Sequence, residues 1–180
     1  MDEPLADSGT VTTAESNDTL LAPISDADVE AVLRLNADHV DLLSPMDADR
    51  LGQLRRWATR ADVIRCDGEV AGLVLVFGPG TDYDSANYRW FAQRYAGDFH
   101  YLDRIVIDDR FRRRGLASAV YDAVERDAAE AGRLTLEVNS DPPNAPSLAF
   151  HRARGYQPVG ELGEPGHRVV LLVKETGPNV

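Results

Sequence analysis

The chain has one cysteine, Cys66, one lysine, Lys174, and no apolar run near the ~18–20 residues that a bilayer requires. A lone cysteine excludes an internal disulfide and any multi-cysteine zinc site, and makes a reducing cytoplasm the expected compartment. Positive charge is also scarce. Nineteen Lys+Arg against thirty Asp+Glu give −11 at pH 7, which argues against a general nucleic-acid surface and against an anionic membrane. Asp2, Glu3, Asp7, Glu15 and Asp18 lie in the first eighteen residues, with no base and no apolar h-region, so this end does not read as a secretory signal. Two phosphate-binding signatures are missing as well. No Gly-x-x-x-x-Gly-Lys-Ser/Thr occurs, and no Gly-x-Gly-x-x-Gly follows a strand. There are no internal repeats.

Hydrophobic residues make up 43% of the 180, enough for the core of a single domain. Residues 1–18, rich in Asp, Ser and Thr and without a hydrophobic period, are expected to form a flexible acidic tail, and 19–180 the domain. A short strand is expected at Thr19 to Ala22. A helix capped by Ser25 follows, with Val29, Val32, Leu33 and Val40 on one face and Asn36 beside them. A second helix runs from Met46 to about Thr59. Ala61–Cys66 and Glu69–Phe77 read as a hairpin around the Asp67-Gly68 turn, and the second run barely alternates, as suits a strand buried on both faces. Tyr83 to Tyr101 holds seven of the thirteen aromatics and is expected to contain a helix over Asn87 to Tyr95. Strands are expected at Phe99–Ile107, Arg133–Asn139, Tyr156 to about Gly160 and His167–Lys174. Helices are expected at Leu116 to about Ala131 and at Ala145–Ala153. This alternation means a mixed α/β (α+β) sheet covered by helices.

The most informative stretch is the strand Ile105-Val106-Ile107, then an arginine- and glycine-bearing turn, then a helix. A helix N-terminus offers unpaired N–H groups and partial positive charge, so it takes phosphate readily, and Gly115 lets the backbone come close. Arg112-Arg113-Arg114-Gly115-Leu116-Ala117 is similar to the Arg/Gln-x-x-Gly-x-Gly/Ala signature of the GNAT N-acetyltransferase superfamily. Asn144-Ala145-Pro146-Ser147-Leu148-Ala149-Phe150-His151-Arg152-Ala153-Arg154-Gly155-Tyr156 resembles that family's downstream block. The resemblance spans roughly Thr19 to Lys174. It implies a mostly antiparallel sheet of six to seven strands, splayed between the fourth and fifth and flanked by about four helices. Acetyl-CoA is the implied acyl donor, with no metal. Its pantetheine arm would lie against Ile105, Val106 and Ile107, and its pyrophosphate against Arg112, Arg113, Arg114, Gly115, Leu116, Ala117 and Ser118. Asn144 would contact the arm and Phe150 would line the cleft. For Arg110 and Arg112–Arg114 taken singly, a solvated basic patch is the alternative.

The implied activity is acetyl transfer to a primary amine, of a small molecule or a protein N-terminus. A non-catalytic acyl-CoA sensor or scaffold, or an enzyme using a larger acyl-CoA, are the rivals. An amine with pKa ~8–10 is mostly protonated at neutral pH, so a carboxylate helps deprotonate it. Glu137 is the first candidate, since Leu136-Glu137-Val138 resembles the Leu-Glu-Val of family members that acetylate ribosomal-protein N-termini; the alternative is a solvent-facing strand residue. Asp103 is the second, with Tyr101, Asp103, Ile105 and Ile107 expected on one strand face and an ion pair with a neighbouring arginine as the alternative. His151 stands where the family's tyrosine acid is expected, and could equally be a helix histidine bonded to backbone. Tyr83, Tyr88, Trp90 and Tyr101 could wall an acceptor site, with Asn36 reaching it from the first helix; a satellite core is the alternative. Many such proteins are homodimers, which the sequence leaves open.

Overall fold

A computed structural model describes residues 20–41 and 43–177; the expected acidic tail lies outside them. Seven strands run β1 Leu21–Pro23, β2 Arg60–Cys66, β3 Glu69–Phe77, β4 His100–Ile107, β5 Arg133–Asp141, β6 Gln157–Glu164 and β7 His167–Glu175. Among the described residues there are five α-helices, at the five places the sequence marks: α1 Val29–Asp38, α2 Ala48–Trp57, α3 Ala86–Tyr95, α4 Leu116–Asp127 and α5 Ala145–Ala153. The strands form one sheet in the order β1-β2-β3-β4-β5-β7-β6. Every neighbouring pair is antiparallel except β4 and β5, which are parallel and pair only at His100–Leu134 and Tyr101–Thr135. Past Tyr101 the two strands part.

Local chemistry sets the helix starts. The Asp28 carboxylate accepts from the Ser25 N–H and hydroxyl at 3.0 and 2.6 Å, closing a short 3-10 turn that leads into α1. Asp47, Ser85 and Asn144 each accept the N–H three residues on, capping α2, α3 and α5. α1 stops at Asp38, short of the expected face, and leaves Val40 exposed. β3 is buried from Ala71 to Phe77, as its unbroken apolar run requires.

Helices α1, α2 and α3 cover one face of the sheet over Val32, Leu35, Leu51, Leu54, Leu73, Leu75 and Phe91. Helices α4 and α5 cover the other, with Val120, Tyr121, Val124, Leu134, Leu136 and Val138. The aromatic segment belongs to the first core. Tyr83, Tyr88, Phe91, Phe99 and Tyr101 are buried within it, and Trp90 packs under β6, where a Cβ on Gly160 would come 2.9 Å from its ring. β6 runs four residues beyond the sequence expectation. It is an edge strand paired only to β7, so its Gly- and Glu-rich end needs no apolar alternation.

The expected single face on β4 does not exist. Leu75 pairs with Arg104 while Val76 pairs with Leu102, so Asp103 is an extra residue in a bulge. Beyond it the alternation is reversed. Tyr101 and Val106 join the α1–α3 core, whereas Leu102, Ile105 and Ile107 join the α4–α5 core.

Candidate active site

Where β4 and β5 separate, a cavity of about 880 Å³ opens. Leu102 to Val106 line one wall and Leu136 to Asn139 the other. His39 and Ser44 of the α1–α2 connection, Asn87 of α3, and Gly166 and His167 of the β6–β7 turn stand on one side. Tyr121 of α4 and Asn144, Ser147 and His151 of α5 stand on the other.

Glu137 lines the β5 wall. Strand alternation sends it to the face opposite Leu136 and Val138, where the Tyr101 hydroxyl donates to its Oε2 at 2.7 Å. Burial, reinforced by the negative charge of Asp103, pushes its pKa up to about 8, against the pull of Tyr101 and Asn87. It is therefore not the solvent-facing residue that alternation also permitted.

Asp103 is held in an ion pair. Its Oδ2 accepts from Arg104 Nε at 2.8 Å and its Oδ1 from the Tyr83 hydroxyl at 2.5 Å, and both charged side chains are less than a tenth exposed. Arg104 also donates to Asn36 Oδ1 at 2.7 Å, and Asn36 Nδ2 donates to the Ser44 carbonyl at 3.2 Å. Asn36 is thus buried and committed to the protein, and it does not line the cavity. Tyr88 is equally occupied, donating to the Gly78 carbonyl at 2.9 Å. Tyr83 and Tyr88 border a separate hollow beside α3.

His151 is buried. Its Nδ1 lies 2.7 Å from the Ser147 carbonyl and its Nε2 2.6 Å from the Tyr121 hydroxyl. Burial lowers its pKa, a direction the Ser147 hydrogen bond opposes. Phe150 packs edge-on against Tyr121, ring centroids 5.1 Å apart, and does not line the cavity. Asn87 and Tyr121 border the cavity although neither stands in a recognisable motif. The aromatic-segment helix was the signal for the first; a tyrosine inside the apolar stripe of α4 gave none for the second.

At the head of α4, Gly115 takes φ 77°, and a Cβ built there would have no atom within 4 Å, so the backbone faces open space. The first-turn amides from Leu116 to Ser118 have no partner within the helix. The arginines lie around this turn on the surface. Arg110 pairs with Asp108 and Glu69, Arg112 with Asp109 at 2.7 Å, and Arg114 with Asp67 at 2.5 Å. Arg113 has no ion-pair partner among the described residues, and holds φ 63°. A glycine at a helix N-terminus, open amides and a parted strand pair all fit a long diphosphate-bearing ligand.

The profile of the Acetyltransferase (GNAT) family matches residues 30–156. The chain belongs to that family. Solved structures agree on the fold of this GNAT chain. Ard1 from Thermoplasma volcanium superposes with a TM-score of 0.65 at 19% identity, over 86% of this chain and 95% of its own. A ribosomal-protein-alanine N-acetyltransferase from Brucella melitensis gives 0.65 at 19%, over 87% and 99%. The ribosomal-protein-S18-alanine N-acetyltransferase from Escherichia coli gives 0.66 at 12%, over 89% and 95%. Acetyl transfer is the chemistry of the GNAT family. Among the described residues no group of three or more His, Cys, Asp or Glu could hold a metal ion, and no helix is long and apolar enough to cross a membrane.

Proposed function

We propose that this GNAT protein is an acetyl-CoA-dependent N-acetyltransferase that moves the acetyl group directly to a primary amine, with Glu137 as the base. The observation that carries the reading is the Glu137 carboxylate, half-enclosed, held by Tyr101, and facing the cavity between the parted strands. Acetyl-CoA bound in that gap supplies an activated thioester carbonyl. From Leu102 onward the β5-facing edge of β4 has no strand partner among the described residues, so its backbone groups are free to bind the pantetheine amides. A backbone N–H on the β5-facing edge of β4, beside Val106, receives the carbonyl oxygen as it gains charge. The turn at Gly115 and the first-turn amides of α4 take the pyrophosphate, and Asn144 steadies the arm from the head of α5.

Glu137 takes a proton from the incoming amine. A base with pKa about 8 matches an amine that is mostly protonated near neutrality, because proton transfer is then close to isoenergetic. Asp103, fixed by Arg104 and Tyr83, adds the negative charge that keeps Glu137 basic. The acceptor is a small amine or a protein N-terminus whose ammonium hands its proton to Glu137 as that carboxyl ionises.

Calorimetry with acetyl-CoA, followed by a thiol-release assay over a panel of amines and N-terminal peptides, tests the reading. Saturable acetyl-CoA binding with amine-dependent thiol release supports it. Binding without thiol release from any amine would make the protein an acyl-CoA sensor. No binding removes the cofactor assignment.

A further inference from the structure

We propose that Tyr121 gives the departing CoA thiolate its proton, and that His151 holds the Tyr121 hydroxyl and resupplies it. This deepens the reading above and rests on acetyl-CoA lying between β4 and β5. Glu137 reaches the cavity from the face covered by α1 to α3, and Tyr121 from the face covered by α4 and α5. A thioester threaded through the gap has the base on one side and the hydroxyl on the other. The amine enters on the first side and the thiol leaves on the second.

The hydrogen bonds define the proton inventory. The Ser147 carbonyl can only accept, so His151 Nδ1, 2.7 Å away, carries a proton. In the neutral ring Nε2 is then an acceptor, and the Tyr121 O–H points at it across 2.6 Å. A second proton on the ring reverses this bond. The Nε2–H donates to the Tyr121 oxygen, and the Tyr121 O–H turns to the cavity that both side chains line.

The step balances from that state. The C–S bond breaks and its electron pair stays on sulfur. Tyr121 O–H gives its proton to the sulfur, while Nε2–H passes its proton to the Tyr121 oxygen. His151 ends neutral with Nδ1–H still on Ser147, the arrangement present in the structure, and solvent reprotonates it after the thiol leaves. Transfer from the His151 imidazolium, which burial makes a stronger acid than a free one, to a thiolate (thiol pKa ~8.5) runs downhill. Tyrosine alone would donate uphill, because burial raises its pKa.

The groups facing the pair are Glu125 on α4, Arg154 after α5, Tyr156 before β6 and, toward Tyr121, Glu137 on β5. Arg154 disfavours a charged ring and Glu125 favours it, and Glu125 is itself bonded to Arg154 and to Lys174 of β7.

Hydroxylamine isolates this step, because it is largely unprotonated at neutral pH and needs no base. Protein loaded with acetyl-CoA is mixed with it, and thiol release is followed in a single turnover. Tyr121→Phe is expected to slow release by about 10²-fold, with acetyl-CoA affinity and thermal midpoint unchanged. At constant free-base hydroxylamine the parental rate should fall as pH rises towards 8, since the imidazolium is the source, and Tyr121→Phe should lose that dependence. His151→Gln, whose amide N–H can still donate to the Tyr121 oxygen, should keep more activity than His151→Leu. Parental release by Tyr121→Phe, a fall that tracks lost acetyl-CoA affinity, or a parent no faster than buffer each overturns the proposal. A parent that fails to bind acetyl-CoA instead removes the reading beneath it.

Discussion

The turn that opens α4 and the polar cluster between β4 and β5 both concentrate charge, yet they hold it by different physics. Around the turn, Arg110, Arg112 and Arg114 meet Asp108, Glu69, Asp109 and Asp67 at the surface, with each arginine about half exposed. Such pairs contribute ~0–1 kcal/mol and weaken with salt. The part of this region left open is backbone: a left-handed glycine and helix amides. In the cleft the reverse holds. Asp103, Arg104, Tyr83, Tyr101 and Glu137 are side chains largely out of water, each held by a neighbour, so removing one strands another. Side-chain change is therefore expected to cost little stability in the first region and much in the second.

The contrast can be broken most sharply at Gly115. Gly115→Trp places a bulky side chain at φ 77° and over the open face of the turn, and is expected to abolish acetyl-CoA binding in calorimetry while the protein still folds, with a thermal midpoint lowered by the backbone strain. Unchanged affinity would move the ligand elsewhere.

Next in size is Asp103→Leu. It leaves the Arg104 guanidinium buried without its carboxylate, and is expected to cost about 3–5 kcal/mol in denaturant unfolding. A loss below about 1 kcal/mol would show that the cleft is as tolerant as the turn.

Glu137→Gln should lower kcat by about 10²-fold with acetyl-CoA affinity intact. The pH signature is specific. Parental kcat/KM should climb with a midpoint near 8 as Glu137 ionises, and the variant should lose that component. Stability carries the opposite sign. A carboxyl whose pKa is raised from 4.5 to about 8 stabilises the fold below 4.5 relative to higher pH, and that contribution is lost as pH rises to about 8. Glu137→Gln should therefore gain thermal midpoint over its parent at pH 9 more than at pH 5. A constant difference across that range would mean the carboxyl is not perturbed.

The smallest effect is expected at Arg113→Ala, a few-fold loss of acetyl-CoA affinity that shrinks as salt is raised. A loss as large as that of Gly115→Trp would show that the arginine, rather than the backbone, binds the diphosphate.

Most of the architecture was legible in the residues. The Asp67-Gly68 turn, the unbroken apolar run of β3, and the cap Ser25 are local signals acting over three to eight residues. The arginine-glycine turn was legible for the same reason, since backbone geometry at a helix start is written in adjacent residues. Less could be read where the partner is distant in sequence. The β4 bulge at Asp103 depends on registry with β3, and it moved Ile105 and Ile107 to the face opposite Tyr101. Asn36 was read as reaching the acceptor from the first helix, but its partner is Arg104, sixty-eight residues away. Tyr121 looked like any core aromatic.

The sequence by itself determined the order of the elements, the family, and the backbone turn suited to a diphosphate, because periodicity, capping and turn chemistry act between neighbours along the chain. Only the tertiary structure decided which polar groups share the cleft and in what protonation state. Desolvation and charge pairing depend on what lies nearby in space: Glu137 owes its raised pKa to burial and to Asp103, and His151 its buried neutral ring to Ser147 and Tyr121.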